Sequence, residues 1–496
     1  MSSLPEHAKI VIVGGGFSGL GLAIRLKQRG VADFVVLERA PDVGGTWHHN
    51  TYPGCTCDVP SHLYSFSFAP NPNWSQTYSP QAEIRDYLRR CADDFGIRPH
   101  LRTNVDVEAA NWREDDQLWE IDTSAGPYTA TVLVSGMGPL TEPKLPDVPG
   151  LESFEGKTMH SARWDHAYDL KGKRVASIGT GASAIQYVPE IRAEVEKLYV
   201  FQRTAPWIMP HGNRSITDLE RALYRHVPFA QQLVRAGVYV GRELLVLGFV
   251  KEPKLMALLA RLARAHMHKQ ISDPDLRDQV TPDYTGGCKR MVPSNRWYRA
   301  LAQPNVELVT GALREVRKRS VIDASGVERE VDAIILGTGF RVTDMPVSHQ
   351  VRGRNGALLA DVWQGSPRSY LGTSVPGFPN FFTLLGPNTG LGHSSMVYMA
   401  ESQVEHVRNA IGKLDAAGAA TIEVRPEAHA AFNREVDKQM QGTVWDTGGC
   451  SSFYLDATGR NATLWPDWTW RFRHRAAHFD SDAYQLAPRP PAMVAA

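Results

Sequence analysis

The run Lys9-Ile10-Val11-Ile12-Val13-Gly14-Gly15-Gly16-Phe17-Ser18-Gly19, followed by Phe34-Val35-Val36-Leu37-Glu38, decides the fold. Ile10 to Val13 are all β-branched and end at glycine, so they read as a buried strand. Gly14, Gly16 and Gly19 stand in the order G-x-G-x-x-G. Leu20, Ala23 and Ile24 follow at helical spacing, Gly30 is a stop, and a second strand ends in Glu38. Glycine turns are common, and the complete strand-turn-helix-strand context separates this one from the rest. In it, Gly14 permits the tight turn, Gly16 lets the backbone approach a pyrophosphate, and Gly19 lets helix pack on strand. Glu38, 24 positions after Gly14, suits the hydroxyls of an unphosphorylated ribose and repels a phosphate placed there.

A second unit follows. Val175-Ala176-Ser177-Ile178 runs into Gly179-Thr180-Gly181-Ala182-Ser183-Ala184, and the next strand, Lys197 to Gln202, ends at Arg203, again 24 positions after the first glycine. An arginine where the first unit has an acid can grip a 2′-phosphate through two charged hydrogen bonds. The contrast implies two different dinucleotides, FAD in the first site and NADPH in the second. A solvated cation at a strand end is the competing reading of Arg203.

Around these units the chain reads as α/β, with two dinucleotide-binding, Rossmann-like domains and a helical insertion. We expect residues 1–145 to form the first part of the FAD domain, 150–212 and 281–345 the two parts of the NADPH domain, 213–280 the insertion, and 346–496 the C-terminal part of the FAD domain. Prolines at 139, 143, 146 and 149 mark the first boundary. Apolar residues at helical spacing predict helices over 80–95 and from about Ser395 to Leu414. A length of 496 residues with 43% apolar content fills two or three cores, and a net charge of +1 points to no nucleic-acid partner. Five scattered cysteines (Cys55, Cys57, Cys91, Cys288, Cys450) imply a reducing cytoplasm rather than disulfides, and no ligand spacing suggests a metal. Met1 to Pro5 lack the basic and apolar regions of a signal peptide, and Arg242 and Glu243 interrupt the most apolar window, 236–250, so no transmembrane segment is expected. Pro488 to Ala496 read as a frayed tail. Nothing in the pattern fixes an oligomeric state.

Between the two turns lies Phe154-Glu155-Gly156-Lys157-Thr158-Met159-His160-Ser161-Ala162-Arg163-Trp164-Asp165. This resembles F-x-G-x-x-x-H-x-x-x-W-(P/D), the fingerprint of the flavin-dependent Baeyer-Villiger monooxygenases in their single-chain, NADPH-using class. Trp164 separates the chain from the related N- and S-oxygenating enzymes, which usually carry another aromatic there. The resemblance implies further roles. Gly45, Thr46 and Trp47 would form the flavin-covering loop, Asp58 the active-site acid and Tyr64 a flavin contact, with Ser18 and Val105 also on the FAD. Thr180, Ser183, Gln186 and the Arg203-Thr204 pair would hold NADPH. Lys289 would assist its phosphate, Arg290 would sit over the flavin, and Trp445 would lie near nicotinamide and substrate. Phe154, Gly156, His160 and Trp164 would serve as a linker coupling the domains.

By the same resemblance, the expected activity inserts one oxygen atom next to the carbonyl of an apolar ketone through a C4a-peroxyflavin, consuming NADPH and O2. Three rivals stand beside it. An N- or S-oxygenating monooxygenase has no use for a cation such as Arg290. A disulfide reductase needs a cysteine pair poised at the flavin. A flavoprotein that binds both nucleotides without oxygenating anything would show no ketone-dependent NADPH consumption.

Overall fold

The computed structural model describes residues 6–488; Met1 to Pro5 and the tail after Pro488 lie outside the described residues. Strand β1 (Glu6–Val13) leads through the first glycine turn into helix α1 (Phe17–Gln28) and strand β2 (Phe34–Glu38). Strands β3 (Leu101–Thr103), β4 (Val107–Arg113), β5 (Leu118–Thr123) and β6 (Tyr128–Ser135) extend this sheet. Its centre is parallel, β6-β1-β2-β3, with Val13 beside Ser135 and Leu37. Phe381–Thr383 adds to the end of β6, and Val351–Arg352 to β4, so chain from the far end completes the first sheet.

The second sheet is wholly parallel. It contains β7 (Lys157–His160), β8 (Arg174–Ile178), β9 (Lys197–Gln202), β10 (Val306–Thr310) and β11 (Ala333–Leu336) in the order β10-β9-β8-β11-β7. Helix α2 (Ala182–Ile191) follows β8 as α1 follows β1. Ile178, Leu198, Val200 and Ile335 have 7% exposure or less, as both-face burial of a parallel sheet requires.

The two turns repeat one steric constraint. Gly14 has φ +102° and Gly179 φ +104°; a Cβ on Gly14 would lie 2.8 Å from the Gly136 carbonyl oxygen, and one on Gly179 2.6 Å from that of Gly337. Each turn therefore passes under the end of the neighbouring strand where a side chain has no room. The third small position differs. A Cβ on Gly19 would meet the Gly14 carbonyl oxygen at 1.9 Å, whereas the second turn carries Ala184, fully buried, at the same offset.

The insertion consists chiefly of helices α3 (Asp218–His226), α4 (Pro228–Glu243) and α5 (Met256–Gln270). A capping box of Thr217 and Glu220 starts α3. The inner face of α4 reaches across to the first half: Gln231 Nε2 donates to the Asn71 carbonyl (2.7 Å) and Arg235 to the carbonyls of His62 (2.6 Å) and Ser65 (3.0 Å). Helix α6 (Met396–Ala416) packs against α1 and is capped by Ser395, whose oxygen accepts from Val397 N–H. Among the described residues no helix is long and apolar enough to cross a membrane.

Two expectations follow. Gly19→Ala, which adds a methyl onto a carbonyl, should cost roughly 3 kcal/mol in chemical denaturation, although alanine occupies the matching place in the second turn. Burial lowers the imidazoles of His62, His160 and His406 to about 4. Below pH about 6.5 the unfolded chain binds protons that the folded chain refuses, so stability is full above that value and falls towards pH 4. Each group contributes at most about 1.4 kcal/mol per pH unit. Urea midpoints measured from neutral pH to pH about 5 should fall steadily; a flat profile contradicts the assignment.

Candidate active site

Helix α1 begins at Gly16 and α2 at Gly181, and neither start is capped by a side chain. Their first-turn N–H groups are left for an anion. A Cβ at Gly181 would meet nothing within 4 Å, the open approach a pyrophosphate needs. The loop carrying Gly45, Thr46 and Trp47 is laid on the first turn: Gly44 N–H donates to the Gly15 carbonyl (3.1 Å), and a Cβ on Gly45 would lie 2.9 Å from Gly16 Cα. Trp47 is buried and donates from Nε1 to the Tyr64 hydroxyl (3.1 Å), edge to face with that ring. The Glu38 carboxylate is buried, accepting from Gly15 N–H (2.6 Å) and Ala40 N–H (2.8 Å), and Val105 N–H donates to the Glu38 carbonyl (3.0 Å). Ser18, in the first turn of α1, is also buried.

At the second turn, Thr180 donates to the Thr204 carbonyl (3.3 Å), while Ser183 sits half-buried on α2. Arg203 is exposed and has no ion-pair partner among the described residues. Burial, and then the Arg203 charge beside it, push the Lys289 ammonium below its ordinary value. Two cations this close, with Asp283 offsetting only part of their repulsion, suit a phosphate. Gln186 is committed to protein: its Oε1 accepts from the Tyr52 hydroxyl (3.0 Å) and Thr56 N–H (3.2 Å), and its Nε2 donates to the Thr56 carbonyl (2.9 Å). It braces α2 against the first half. The linker residues pack within the second half: His160 ends β7 with its ring 5.8 Å from Phe340, Trp164 packs 5.5 Å from Tyr187, and Gly156 lies against the Phe154 ring and the Asp332 carbonyl.

Between the halves, Arg290 meets Asp58 in a two-pronged ion pair, Nε to Oδ2 at 2.6 Å and Nη2 to Oδ1 at 2.7 Å. Nη1 donates to the Leu391 carbonyl at 3.3 Å. The side chains are 25% and 20% exposed, so the pair is largely shielded. Burial alone would raise the Asp58 carboxyl and lower the Arg290 cation; their mutual attraction reverses both, leaving aspartate ionised and arginine protonated across the working pH range. Two of the five guanidinium N–H groups remain for a substrate.

Residues without a motif pack beside this ion pair. Phe249 from the insertion stacks on Trp445 (5.7 Å, 28°), and both join Tyr454, Val444 and Leu464 in one buried apolar cluster. Burial pushes the Tyr454 phenol up to about 12, with Arg290 opposing. His393 lies with Nε2 3.6 Å from Glu243, while both of its ring nitrogens and Trp445 Nε1 are buried without a hydrogen-bond partner. Such orphaned donors fit a polar group placed among them. The leucines of the insertion signal helices, but nothing in them signals Phe249 as the neighbour of Trp445.

One expectation is corrected. The scattered cysteines imply no disulfide, yet Cys288 and Cys450 are bonded, 162 residues apart. Pairing depends on tertiary proximity, which an odd count and wide spacing do not reveal. Cys55, Cys57 and Cys91 are free and buried.

The family described as pyridine nucleotide-disulphide oxidoreductase matches residues 11–220. A solved structure of cyclohexanone monooxygenase from Rhodococcus sp. Phi1, bound to NADP+, superimposes with a TM-score of 0.87 at 29% identity, covering 98% of this chain and 100% of that one. A Baeyer-Villiger monooxygenase of Streptomyces coelicolor is 51% identical over 99% of this chain and 95% of its own length. Another, from Pseudomonas aeruginosa, is 49% identical over 98% and 92%. Half of all positions shared end to end, with the linker fingerprint intact between two nucleotide turns, means that the chain belongs to the Baeyer-Villiger monooxygenases.

Proposed function

We propose that this chain converts an apolar ketone, O2, NADPH and a proton into an ester or lactone, NADP+ and water. The observation that carries the reading is Arg290, fixed by Asp58 between two nucleotide cradles and beside an apolar wall. FAD, reduced by NADPH, supplies the electrons that divide O2 between the inserted oxygen and water.

The chain's own residues bind, aim and exclude water. Helix α1 and the Gly14–Gly19 turn hold the FAD pyrophosphate, with Ser18 in its first turn, and Glu38 its ribose. Val105, bonded through its N–H to the Glu38 carbonyl, would lie beside that ribose. Gly45, Thr46, Trp47 and Tyr64 cover the ring system. The second turn, with Thr180 and Ser183, holds the NADPH pyrophosphate, and Arg203, Thr204 and Lys289 its 2′-phosphate. Gln186 keeps the two halves in register, and Phe154, Gly156, His160 and Trp164 fix the linking segment on the second sheet. Arg290 directs its two unused N–H groups at the ketone oxygen and stabilises negative charge as it develops there. Asp58 fixes the guanidinium plane. Phe249, Trp445, Tyr454 and Leu464 form a dry wall that favours an apolar ketone over a charged one. We assign the two sheets and their helices to an FAD domain, residues 1–145 with 346–496, and an NADPH domain, residues 150–212 with 281–345, with 213–280 inserted. The need for NADPH supports a cytoplasmic setting for the reaction.

Arg290→Ala should still oxidise NADPH but release hydrogen peroxide, with ester formation down at least about 100-fold; product mass against peroxide yield measures this. Undiminished ester would end the assignment of Arg290. Arg203→Ala should raise the KM for NADPH about tenfold or more through loss of a charged contact and leave the KM for NADH unchanged. An unaltered nucleotide preference removes Arg203 from the phosphate site.

A further inference from the structure

The Cys288–Cys450 bridge ties together two working parts of the site. Cys288 immediately precedes Lys289 and Arg290, and Cys450 ends the stretch that begins at Trp445. The two segments also meet through Thr285 N–H, which donates to the Gly448 carbonyl at 3.0 Å, and Gly448 lies directly against the Cys288 side chain. Cys288 is 1% exposed, whereas Cys450 is only half-buried, so Cys450 is the partner nearer the solvent. The other three cysteines differ. Burial pushes the Cys55 thiol up to about 12 and that of Cys91 to about 11, and raises Cys57 well above its ordinary value. Buried neutral thiols react poorly with oxidants.

We propose that Cys288 and Cys450 form a reversible dithiol-disulfide modification site that takes hydrogen peroxide, and that the bridge holds the Trp445 segment against the Arg290 segment. The inference rests on the proposed function twice. A cytoplasmic, NADPH-using enzyme keeps a disulfide only if it can be re-formed and reduced, and an oxygenase that turns over without its ketone releases peroxide at this very place. The Cys450 thiolate attacks one peroxide oxygen, the O–O bond breaks, and the departing hydroxide takes a proton to become water. This leaves Cys450 as a sulfenic acid. The Cys288 sulfur then attacks the Cys450 sulfur, the S–O bond breaks, and the second oxygen leaves as water with the Cys288 proton. Two thiols lose two electrons and two protons, and one hydrogen peroxide becomes two waters. A small dithiol reverses the step by exchange.

The bridge has a mechanical consequence. With Cys450 tethered to the residue before Lys289, Trp445 stays on Phe249 and Tyr454 stays beside Arg290. Water is kept from the pocket, and less reducing power is lost as peroxide. Leakage thus closes the bridge that limits leakage.

The test uses the flavin-loaded enzyme, either reduced with a phosphine and desalted or treated with equimolar hydrogen peroxide. Alkylation in denaturant followed by intact mass should count five modified cysteines in the reduced enzyme and three in the treated one. With NADPH and a ketone, the reduced enzyme should release at least about threefold more peroxide per NADPH than the bridged enzyme. Reoxidation should reverse this, and Cys450→Ser should stay at the reduced value under both treatments. Five modified cysteines after peroxide, or equal leakage in the two states, overturns the proposal. Its failure is separable from that of the proposed function: alkylation after added peroxide needs no turnover, whereas absence of ester from every ketone in both states would sink the oxygenase reading alone.

Discussion

The contact on which the rest of the molecule depends is the ion pair between Asp58 and Arg290, two residues 232 positions apart in sequence. Each comes from a different half of the chain, and each would be costly to shield from water alone. Together they neutralise one another, and the Leu391 carbonyl accepts a hydrogen bond from a further guanidinium N–H. A hydrophobic pair of similar size would hold the halves together equally well, so the charge is not explained by stability. What the charged pair adds is a permanently protonated donor at a fixed angle. Gln186, bonded to Tyr52 and Thr56, sets the distance between halves within which that geometry can exist.

The parts of this arrangement legible in the sequence are those governed by local sterics. Gly14 and Gly179 stand where a Cβ would strike the next strand's carbonyl, a demand any reader of strand and glycine patterns can recover. The opposite charges of Glu38 and Arg203 at one offset are equally local. Asp58 and Arg290 are different, since no spacing joins them; they became candidates through a family resemblance, and the structure brings them together. Phe249, Tyr454 and His393 were not legible at all. An apolar wall is made of residues that in sequence look like any core, and only tertiary contact distinguishes the two uses. The Cys288–Cys450 pair escaped for the same reason.

The insertion shows how a pocket is built from a segment of unremarkable composition. Helix α4 spends its polar side chains inward: Gln231 and Arg235 satisfy carbonyls of the 62–71 loop, and Glu243 accepts from Thr469 N–H (2.5 Å) and its hydroxyl (2.8 Å). Phe229, Leu233 and Val240 face outward, whereas Val238 and Tyr239 pack against the main core. The inner face thus combines polar anchors with apolar contacts. Hydrogen bonds fix the rotation of the helix about its axis more tightly than apolar packing would, and that rotation decides where the chain beyond it delivers Phe249 to Trp445.

The neutrality of the Asp58 and Arg290 pair also bears on selectivity. An isolated arginine would attract any anion from a distance, including the wrong ones. Paired with a carboxylate at 2.6 Å, its field falls off as that of a dipole and is felt only at hydrogen-bonding range. A neutral ketone is therefore not disadvantaged on entry, and the guanidinium acts most strongly once charge gathers on the carbonyl oxygen within reach of the two free N–H groups. Stabilisation that grows along the reaction coordinate is what lowers a barrier, whereas uniform attraction would only tighten binding. The aspartate is thus as much a part of the discrimination as the arginine it holds.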